Sequence, residues 1–247
     1  MFFQADPGTS WAGSIAACME YPHNRPYTAD DLVRIITLLR DPVNGCPWDK
    51  VQTHTSIRMN FLGEAYEAVD ALDLDDPVLM CEELGDVLMQ VAFHTCMEQE
   101  TGRFTWEQVC DGVCQKLIER HPNIFGTQPG YEGITDWDAL KNKEKGRRTL
   151  ADDLESVPRA MPALMRAAKL QKRAARHGAA LQGADAAALA DAAENLQTAQ
   201  PASAQAEQAV GELLFAAANL ARQAGVDPEQ ALQKANEAFC TAAGPVA

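Results

Sequence analysis

The sequence predicts an all-α protein built from two related helical units. Apolar residues recur with the spacing of amphipathic helices, and the strict alternation of a strand is not sustained in any segment. Helix-start signals precede these segments, as at Thr28 with Asp31 three residues later. Residues 84–92 are also similar to residues 210–218, which indicates two copies of one helical unit, although two amphipathic helices can resemble each other by chance.

The helices are expected in the order in which these signals occur. Residues 1–27 mix proline, glycine and aromatic residues without a period and read as an extension. We predict helices over 28–40, 56–72, 78–100, 105–121, 136–147, 160–176, 204–224 and 228–243. Residues 179–209 are rich in alanine and glutamine, and we expect weak, partly disordered helix there. The predicted domains are an extension (1–28), a first helical domain (29–150) and a second one (151–247).

The charge balance limits which partners and compartments suit the chain. Its 247 residues carry 21 Lys and Arg against 35 Asp and Glu, a net charge of -14, so we expect no nucleic-acid partner. No stretch of about 18 apolar residues occurs and no secretion signal is recognised, so we expect no membrane association. Seven cysteines, an odd number without a Cys-x-x-Cys pair, favour reduced thiols and a cytoplasmic location.

Two acidic residues occupy unusual positions on the helix predicted over 56–72. Glu64 and Glu67 lie three residues apart, a spacing that places them side by side on a helix surface. They stand at the border of the apolar sector rather than opposite it, where solvated acids normally lie. That sector is formed by Ile57, Phe61, Ala65, Ala68, Val69 and Leu72.

The helix predicted over 78–100 carries a second pair of acids. Glu83, Asp86, Gln90 and His94 project onto one narrow stripe, while apolar residues surround the rest of the axis. A helix that is apolar on nearly every side is expected to be buried. We interpret His94 as a packed core histidine rather than a metal ligand.

The two pairs of acids together predict a cation site. Two helices joined by a short turn can direct all of these carboxylates at one point, and carboxylates buried without a partner cost several kcal/mol each. Oxygen ligands of this kind suit Mg²⁺ or Mn²⁺, which commonly bind phosphate groups as well. Two solvated, acidic helix faces without a metal are the alternative that the spacing alone leaves open.

A distinctive segment precedes these acids in the sequence. Gly45-Cys46-Pro47-Trp48-Asp49 is followed by Gln52-Thr53-His54, and then by Glu64-x-x-Glu67 and Glu83-x-x-Asp86, with the 15 residues 68–82 between the two acid pairs. In this pattern the chain resembles the MazG family of nucleoside triphosphate pyrophosphohydrolases. The similarity continues through 116–126 and 137–145, and residues 157–172 are similar to the entry of the second unit in long family members.

The resemblance implies an activity and a set of site residues. The implied reaction is hydrolysis of a nucleoside triphosphate between the α- and β-phosphates, giving a nucleoside monophosphate and pyrophosphate. The resemblance assigns catalysis and Mg²⁺ (or Mn²⁺) ligation to Glu64, Glu67, Glu83 and Asp86, and substrate binding to Lys116, Arg120, Trp137, Lys141 and Trp48. Ordinary solvated charge is the alternative for the lysines and the arginine, and simple packing is the alternative for Trp137.

The second unit departs from the family pattern. By alignment on Gly211-Glu212, Ala209 and Glu212 stand in the positions of the second acid pair. The positions of the first pair fall near Ala192 and Asn195, and the neighbouring Asp191 and Glu194 leave that register open. We therefore expect a degenerate unit that is retained for packing, dimerisation or regulation. Because one such helical unit buries little on its own face, we expect a homodimer. A catalytically silent interaction module, or an enzyme restricted to dUTP or damaged nucleotides, are the alternative functions.

Overall fold

The all-α class is confirmed by the computed structural model. The structure describes residue 21 and residues 26–122, 124–126, 144–146 and 149–244, and these contain helices and no strand. The chain divides into two compact units between Gly133 and Ile134, which are described separately. The helix predicted over 136–147 falls almost wholly outside the described residues, as does most of the N-terminal extension. The domain boundary at 150 stays a prediction.

The described part of the first unit contains four α-helices whose starts are fixed by capping side chains. They are α1 (Ala29–Leu39), α2 (His54–Leu74), α3 (Pro77–Glu100) and α4 (Trp106–Arg120). Thr28 and Thr105 cap α1 and α4 as the sequence predicts. Helix α2 begins two residues earlier than expected because Thr53 forms a capping box with Ser56. Asp76 caps α3 and accepts hydrogen bonds from the Val78 and Leu79 backbone amides.

The core of the first unit lies where α1 and α4 meet the second half of α3. Its buried apolar residues are Val33, Ile36, Ile57, Ala92, Phe93, Cys96, Met97 and Trp106. Helix α2 packs along α3, and Ala68 and Ala71 allow a close approach because they are small and fully or nearly fully buried. This packing holds α2 and α3 side by side along the segment that carries the acidic residues.

The prediction that α3 is buried throughout is wrong for its first half. Val78, Leu84 and Leu88 are 77%, 50% and 41% exposed, whereas residues 95–98 are buried. The neighbouring face of α2 is exposed as well, with Val69 and Leu72 each 50% accessible. Helices α1 and α4 pack on the C-terminal half of α3, so the described part of the first unit leaves these apolar side chains uncovered.

The second unit is a separate set of helices. They are α5 (Leu150–Glu155), α6 (Ala163–Arg176), α7 (Ala186–Thr198), α8 (Ala204–Gln223) and α9 (Pro228–Ala243). The expectation of weak, partly disordered helix over 179–209 is wrong, because α7 is a regular helix capped by Asp185. Ala192 and Ala209 are only 1% and 2% exposed. Their methyl groups let α7 and α8 pack closely, which supplies the tertiary support that propensity alone would not.

A buried ionic cluster holds α5 against α6. Asp153 is 1% exposed and pairs with Arg173, whose Nη1 lies 3.0 Å from Asp153 Oδ1 and also donates to the Asp153 carbonyl oxygen at 2.5 Å. His177 Nε2 lies 3.2 Å from the same carboxylate. Gln171, which is fully buried, donates to the Phe215 carbonyl oxygen of α8 at 2.7 Å.

Among the described residues, none of the helices has the length and apolar character needed to cross a membrane.

Candidate active site

The loop between α1 and α2 is anchored by the buried side chain of Arg40. Its Nε and Nη2 bind the Glu100 carboxylate at 2.5 and 2.8 Å, which ties the end of α1 to the end of α3. Its Nη1 donates to the carbonyl oxygens of Asp49 at 2.7 Å and Gln52 at 3.2 Å. Because a guanidinium has a fixed planar geometry, these bonds hold the segment around Trp48 in one position.

The start of this loop requires glycine at position 45. A Cβ atom there would lie 2.5 Å from the Leu39 carbonyl oxygen and 2.7 Å from the Asp41 backbone nitrogen, which backbone atoms cannot accommodate. The tight approach is fixed by hydrogen bonds from the Gly45 amide to the Asp41 oxygen at 2.9 Å and from the Cys46 amide to the Leu39 oxygen at 2.8 Å. Trp48, predicted to bind substrate, is 42% exposed on this loop.

Three of the four acidic residues identified in the sequence converge between α2 and α3. One carboxylate oxygen each of Glu64, Glu83 and Asp86 lies within 4.8 Å of the other two. Glu64 comes from α2, and the other two come from one turn of α3. All three side chains are partly buried, so the group is neither a solvated surface patch nor a sealed core.

Glu67 completes the set electrostatically. It does not share the 4.8 Å grouping of the other three acids. Its charge is nonetheless close enough to raise the pKa of both Glu64 and Glu83. The structure therefore places all four predicted acids in one electrostatic neighbourhood and brings three of them into a common focus.

Burial and the charges of neighbouring acids raise the pKa values of two residues of this cluster. Burial, followed by the charges of Asp86 and Glu67, raises the pKa of Glu64, while a hydrogen bond from Gln90 opposes that shift. Burial, followed by the charges of Glu67 and Asp86, raises the pKa of Glu83. The Oε2 atom of Glu83 is buried without a hydrogen-bond donor among the described residues. The repulsion among these acids is thus offset only in part, by the hydrogen bond from Gln90 to Glu64.

This donor set fits a hard divalent cation. The ligands offered are carboxylate oxygens alone, the type that Mg²⁺ and Mn²⁺ bind, and no nitrogen or sulfur atom belongs to the group. A cation placed among these oxygens would offset the repulsion that raises the pKa values of Glu64 and Glu83. It would also give the buried Glu83 oxygen a partner.

A histidine pair lies beyond the acids on the same face of α3. His94 stacks on His54, with ring centroids 5.0 Å apart and their Nδ1 atoms 2.7 Å apart. The opposite ring nitrogen of His54 lies 2.5 Å from Glu98 Oε1. Burial, followed by the nearby His54, lowers the pKa of His94. His54 belongs to the sequence segment 45–54 and His94 to the polar stripe of α3, but neither pattern indicates their contact. The two residues are 40 positions apart in the chain, and the packing of α2 on α3 joins them.

The remaining predicted substrate residues are distributed differently. Lys116 is exposed on α4, whereas Arg120, one turn further on, is only 9% exposed. Trp137 and Lys141 lie outside the described residues, so their predicted roles stay predictions. Gln90 was not among the predicted site residues, although its place on the polar stripe of α3 was the signal that indicated it. It is 6% exposed and donates a hydrogen bond to Glu64.

The equivalent place in the second unit is a groove of about 720 Å³ between α7 and α8. Its lining includes Glu212, which the internal repeat aligns with Asp86, and Ala192 and Asn195, which lie near the positions expected for Glu64 and Glu67. Asp191 also lines it. Among the described residues, a three-acid group with metal-ligand spacing occurs in the first unit and not here. The described lining of this groove therefore offers two acids, Asp191 and Glu212, but not a three-acid ligand set.

The sequence matches a protein family over the segment that contains this site. Residues 52–125 match the family model of the MazG nucleotide pyrophosphohydrolase domain, a range that includes α2, α3 and α4. The four acids, Gln90 and the histidine pair all fall within it.

Two relatives extend the match beyond that segment. The chain is 41% identical over 219 residues to a nucleoside triphosphate pyrophosphohydrolase of Escherichia coli K12, covering 85% of this chain and 83% of the relative. It is 38% identical over 212 residues to the nucleoside triphosphate pyrophosphohydrolase/pyrophosphatase MazG of Thermotoga maritima, covering 85% and 82%. The chain belongs to the MazG family of nucleotide pyrophosphohydrolases.

A further relative matches a smaller part of the chain. A nucleoside triphosphate pyrophosphohydrolase of Mycobacterium tuberculosis is 37% identical over 136 residues, which is 53% of this chain and 41% of that protein. About half of this chain is therefore enough for a clear similarity to another member of the family.

Proposed function

We propose that the chain hydrolyses nucleoside triphosphates between the α- and β-phosphates, with Mg²⁺ as cofactor, releasing a nucleoside monophosphate and pyrophosphate. The observation that carries the proposal is the convergence of Glu64, Glu83 and Asp86 within 4.8 Å on the family's domain. A cluster of acids alone repels a triphosphate, so a cation must lie between the two for this site to bind substrate. The names of the curated relatives support the same substrate class.

The acids divide the work of holding the cation. Glu64, Glu83 and Asp86 would be its ligands, with Glu67 as a fourth ligand or as a base that orients the attacking water. When bound, the cation polarises phosphate oxygens and lowers the pKa of a bound water. Gln90 fixes the direction of the Glu64 carboxylate through its hydrogen bond. Mn²⁺ suits the same oxygens and is expected to substitute.

Cationic and aromatic side chains would position the substrate. Lys116 and Arg120 lie one turn apart on α4, a spacing that suits contact with neighbouring phosphate oxygens. Trp48 stands exposed on the anchored loop and offers a surface for a base. Trp137 would stack on the base and Lys141 would bind phosphate, as the family resemblance implies.

The six cysteines among the described residues are all unpaired, which agrees with a cytoplasmic setting.

The proposal is tested by identifying products from the purified chain with Mg²⁺. We expect nucleoside monophosphate and pyrophosphate from the wild type, and a loss of at least about 100-fold in kcat for Glu64→Gln. Glu82→Gln is the matched control, because Glu82 is exposed on α3 beside the cluster. Release of nucleoside diphosphate and phosphate would show that another bond is cleaved. Full activity in Glu64→Gln would contradict the proposed role of the acid cluster in catalysis.

The same assay, run over a panel of bases and both sugars, defines the substrate range. Comparable rates across the panel indicate a general nucleoside triphosphate pyrophosphohydrolase, whereas activity confined to dUTP or a damaged nucleotide supports the narrower enzyme. A silent interaction module, which the loss of acids from the second unit favours, predicts no turnover at all. It also predicts no Mg²⁺-dependent binding of a non-hydrolysable nucleotide in calorimetry.

We also propose that the chain forms a homodimer through the exposed apolar face of α2 and α3. Leu84 and Leu88 of α3 are 50% and 41% exposed, next to the half-exposed Val69 and Leu72 of α2. Light scattering should give twice the chain mass of 26.8 kDa for the wild type. Leu84→Glu should shift that mass toward the monomer. Leu232→Glu, at a site with the similar exposure of 49%, should leave it unchanged, and a monomeric wild type at micromolar concentration contradicts the proposal.

A further inference from the structure

A second groove in the second unit lies outside every site discussed above. It is bounded by α6 and by the turn between α8 and α9, and its volume is about 620 Å³. Its apolar lining includes Met161, Met165 and Val226. Its polar lining is mainly cationic, with Lys169, Lys172, Arg173 and Arg222. It shares no residue with the groove lined by Asn195 and Glu212.

The positive charge of this groove is unusual for the chain. The described residues 149–244 contain eight Lys and Arg side chains, and four of them line this groove. The lining contains one acid, Asp227, whose Oδ1 accepts hydrogen bonds from the Glu229 and Gln230 amides at 3.0 and 3.1 Å. That carboxylate therefore caps α9. In a protein with a net charge of -14, such a concentration of cations attracts small anions locally.

One of these cations is oriented by a buried amide. Arg222 Nε donates to Asn219 Oδ1 at 2.9 Å, and Asn219, only 2% exposed, donates in turn to the Ala184 carbonyl oxygen at 2.6 Å. The bond to Asn219 engages Nε and leaves the two terminal nitrogens of the guanidinium to other acceptors. A pre-oriented arginine loses less entropy when it binds a phosphate than a free one does.

Arg173 is already engaged by an acid, whereas the two lysines of the groove are not. Arg173 already pairs with the buried Asp153 at 3.0 Å and serves the packing of α5 on α6. Lys169 and Lys172 are exposed one turn apart on α6 and have no acidic partner within 4 Å among the described residues. Three cations, the two lysines and Arg222, are thus available to an external ligand beside an apolar wall.

We propose that this groove binds a polyphosphate-bearing ligand, with its phosphates at Lys169, Lys172 and Arg222 and its apolar portion against Met161 and Met165. Lysine and arginine are the side chains that bind phosphate most strongly, and small-molecule pockets combine apolar walls with a few convergent polar groups. The site would hold phosphate by direct contact with side chains. The acid cluster of the first unit, by contrast, requires a cation to approach a phosphate at all.

The test is calorimetry on the full chain in EDTA, with ATP and inorganic triphosphate as probes. Without a divalent cation the acid cluster repels both probes, and the heat that is lost in the variants of the groove measures binding there. We expect binding to the wild type, and an affinity at least about tenfold lower for Lys169→Ala/Lys172→Ala, because two phosphate contacts are lost. Lys172→Ala should weaken binding more than Lys234→Ala, the matched control on α9, whose affinity should stay within about twofold of wild type.

The remaining variants distinguish a loss of binding at the groove from a loss of folding and from an effect of the first unit. Lys169→Arg/Lys172→Arg keeps the charge and should retain binding, and circular dichroism should show the same helix content for every variant. Glu64→Gln should leave binding in EDTA unchanged even where it abolishes turnover, so the two proposals fail independently. Tighter binding of ATP than of triphosphate supports a nucleotide ligand, and equal binding supports an inorganic one. No binding of either probe, or an equal loss in Lys234→Ala, overturns the proposal.

Discussion

The helix pairs α2–α3 and α7–α8 solve one packing problem with different chemistry. Both bring two helices into close contact through small residues, Ala68 and Ala71 in the first unit and Ala192 and Ala209 in the second. The first pair places three carboxylates at a common focus, where burial and mutual repulsion raise the pKa values of Glu64 and Glu83. The second lines a groove that contains Asp191 and Glu212, but the described residues form no three-acid group there.

Acids that are held close together for a cation site lower the stability of the folded state. Where the acids are kept, like charges are held together and the Glu83 Oε2 atom is buried without a donor among the described residues. Where they are lost, alanines fill the contact and the pair is left with ordinary helix packing. The energetic penalty in the first pair therefore comes from the same acids that would hold a cation. Among its described residues, the second pair has neither the penalty nor the three-acid group.

The largest expected effect comes from substituting the aligned acids Asp86 and Glu212 of the two helix pairs. Asp86→Asn should reduce kcat for pyrophosphate release by at least about 100-fold, because it removes a ligand from the three-acid group. Glu212→Gln, at the position aligned with Asp86 in the second groove, should stay within about twofold of wild type. Steady-state kinetics with Mg²⁺ measures both. A large loss for Glu212→Gln would mean that the second unit takes part in catalysis.

A stability effect should follow from returning an acid to the second unit. Ala209→Glu restores the acid at the position aligned with Glu83, but Ala209 is 2% exposed in the α7–α8 contact. We expect a loss of about 3 kcal/mol or more in the free energy of unfolding, from overpacking and a buried unpaired charge. Val210→Glu is the control, since Val210 is 39% exposed, and it should change that free energy by less than about 1 kcal/mol. Urea unfolding compares the two, and equal losses would contradict the packing argument.

The histidine pair of the first unit predicts a dependence of stability on pH. Burial and His54 lower the pKa of His94 below its usual 6.5, so the unfolded chain binds a proton more readily than the folded one. Stability contributed by neutral His94 is complete above pH 6.5 and is lost as the pH falls below that value. His94→Gln should flatten this slope by up to roughly 1 kcal/mol between pH 7 and pH 5. An unchanged slope, measured by urea unfolding, would exclude His94 as its source.

The smallest expected effect concerns repulsion among the acids without metal. Glu64→Gln keeps a hydrogen-bonding group beside Gln90 and removes one of the mutually repelling charges. In EDTA we expect its melting temperature to rise by roughly 1–2 °C, a modest change because solvent screens partly exposed charges. Asp70→Asn, on the exposed face of α2, should leave the melting temperature unchanged. Added Mg²⁺ should stabilise the wild type more than Glu64→Gln, and the reverse order would contradict a cation at these acids.

Local patterns in the sequence were sufficient for much of the fold. Capping boxes at Thr28 and Thr105 marked two helix starts, and α3 ends at Glu100 as expected, because these signals involve residues within one or two turns. The weak helix expected over 179–209 was wrong for a physical reason. Alanine-rich sequence is marginal in isolation, but α7 is stabilised by its long contact with α8, which no local pattern contains.

The candidate site divides in the same way. The spacing of Glu64 with Glu67 and of Glu83 with Asp86 determined, from the sequence alone, which acids could share a face, because helical geometry relates residues three apart. Tertiary structure decided that three of them meet within 4.8 Å, that His54 reaches His94, and that the first half of α3 is exposed rather than buried. These are contacts between distant segments, set by how α2 and α3 pack and by which neighbours cover them.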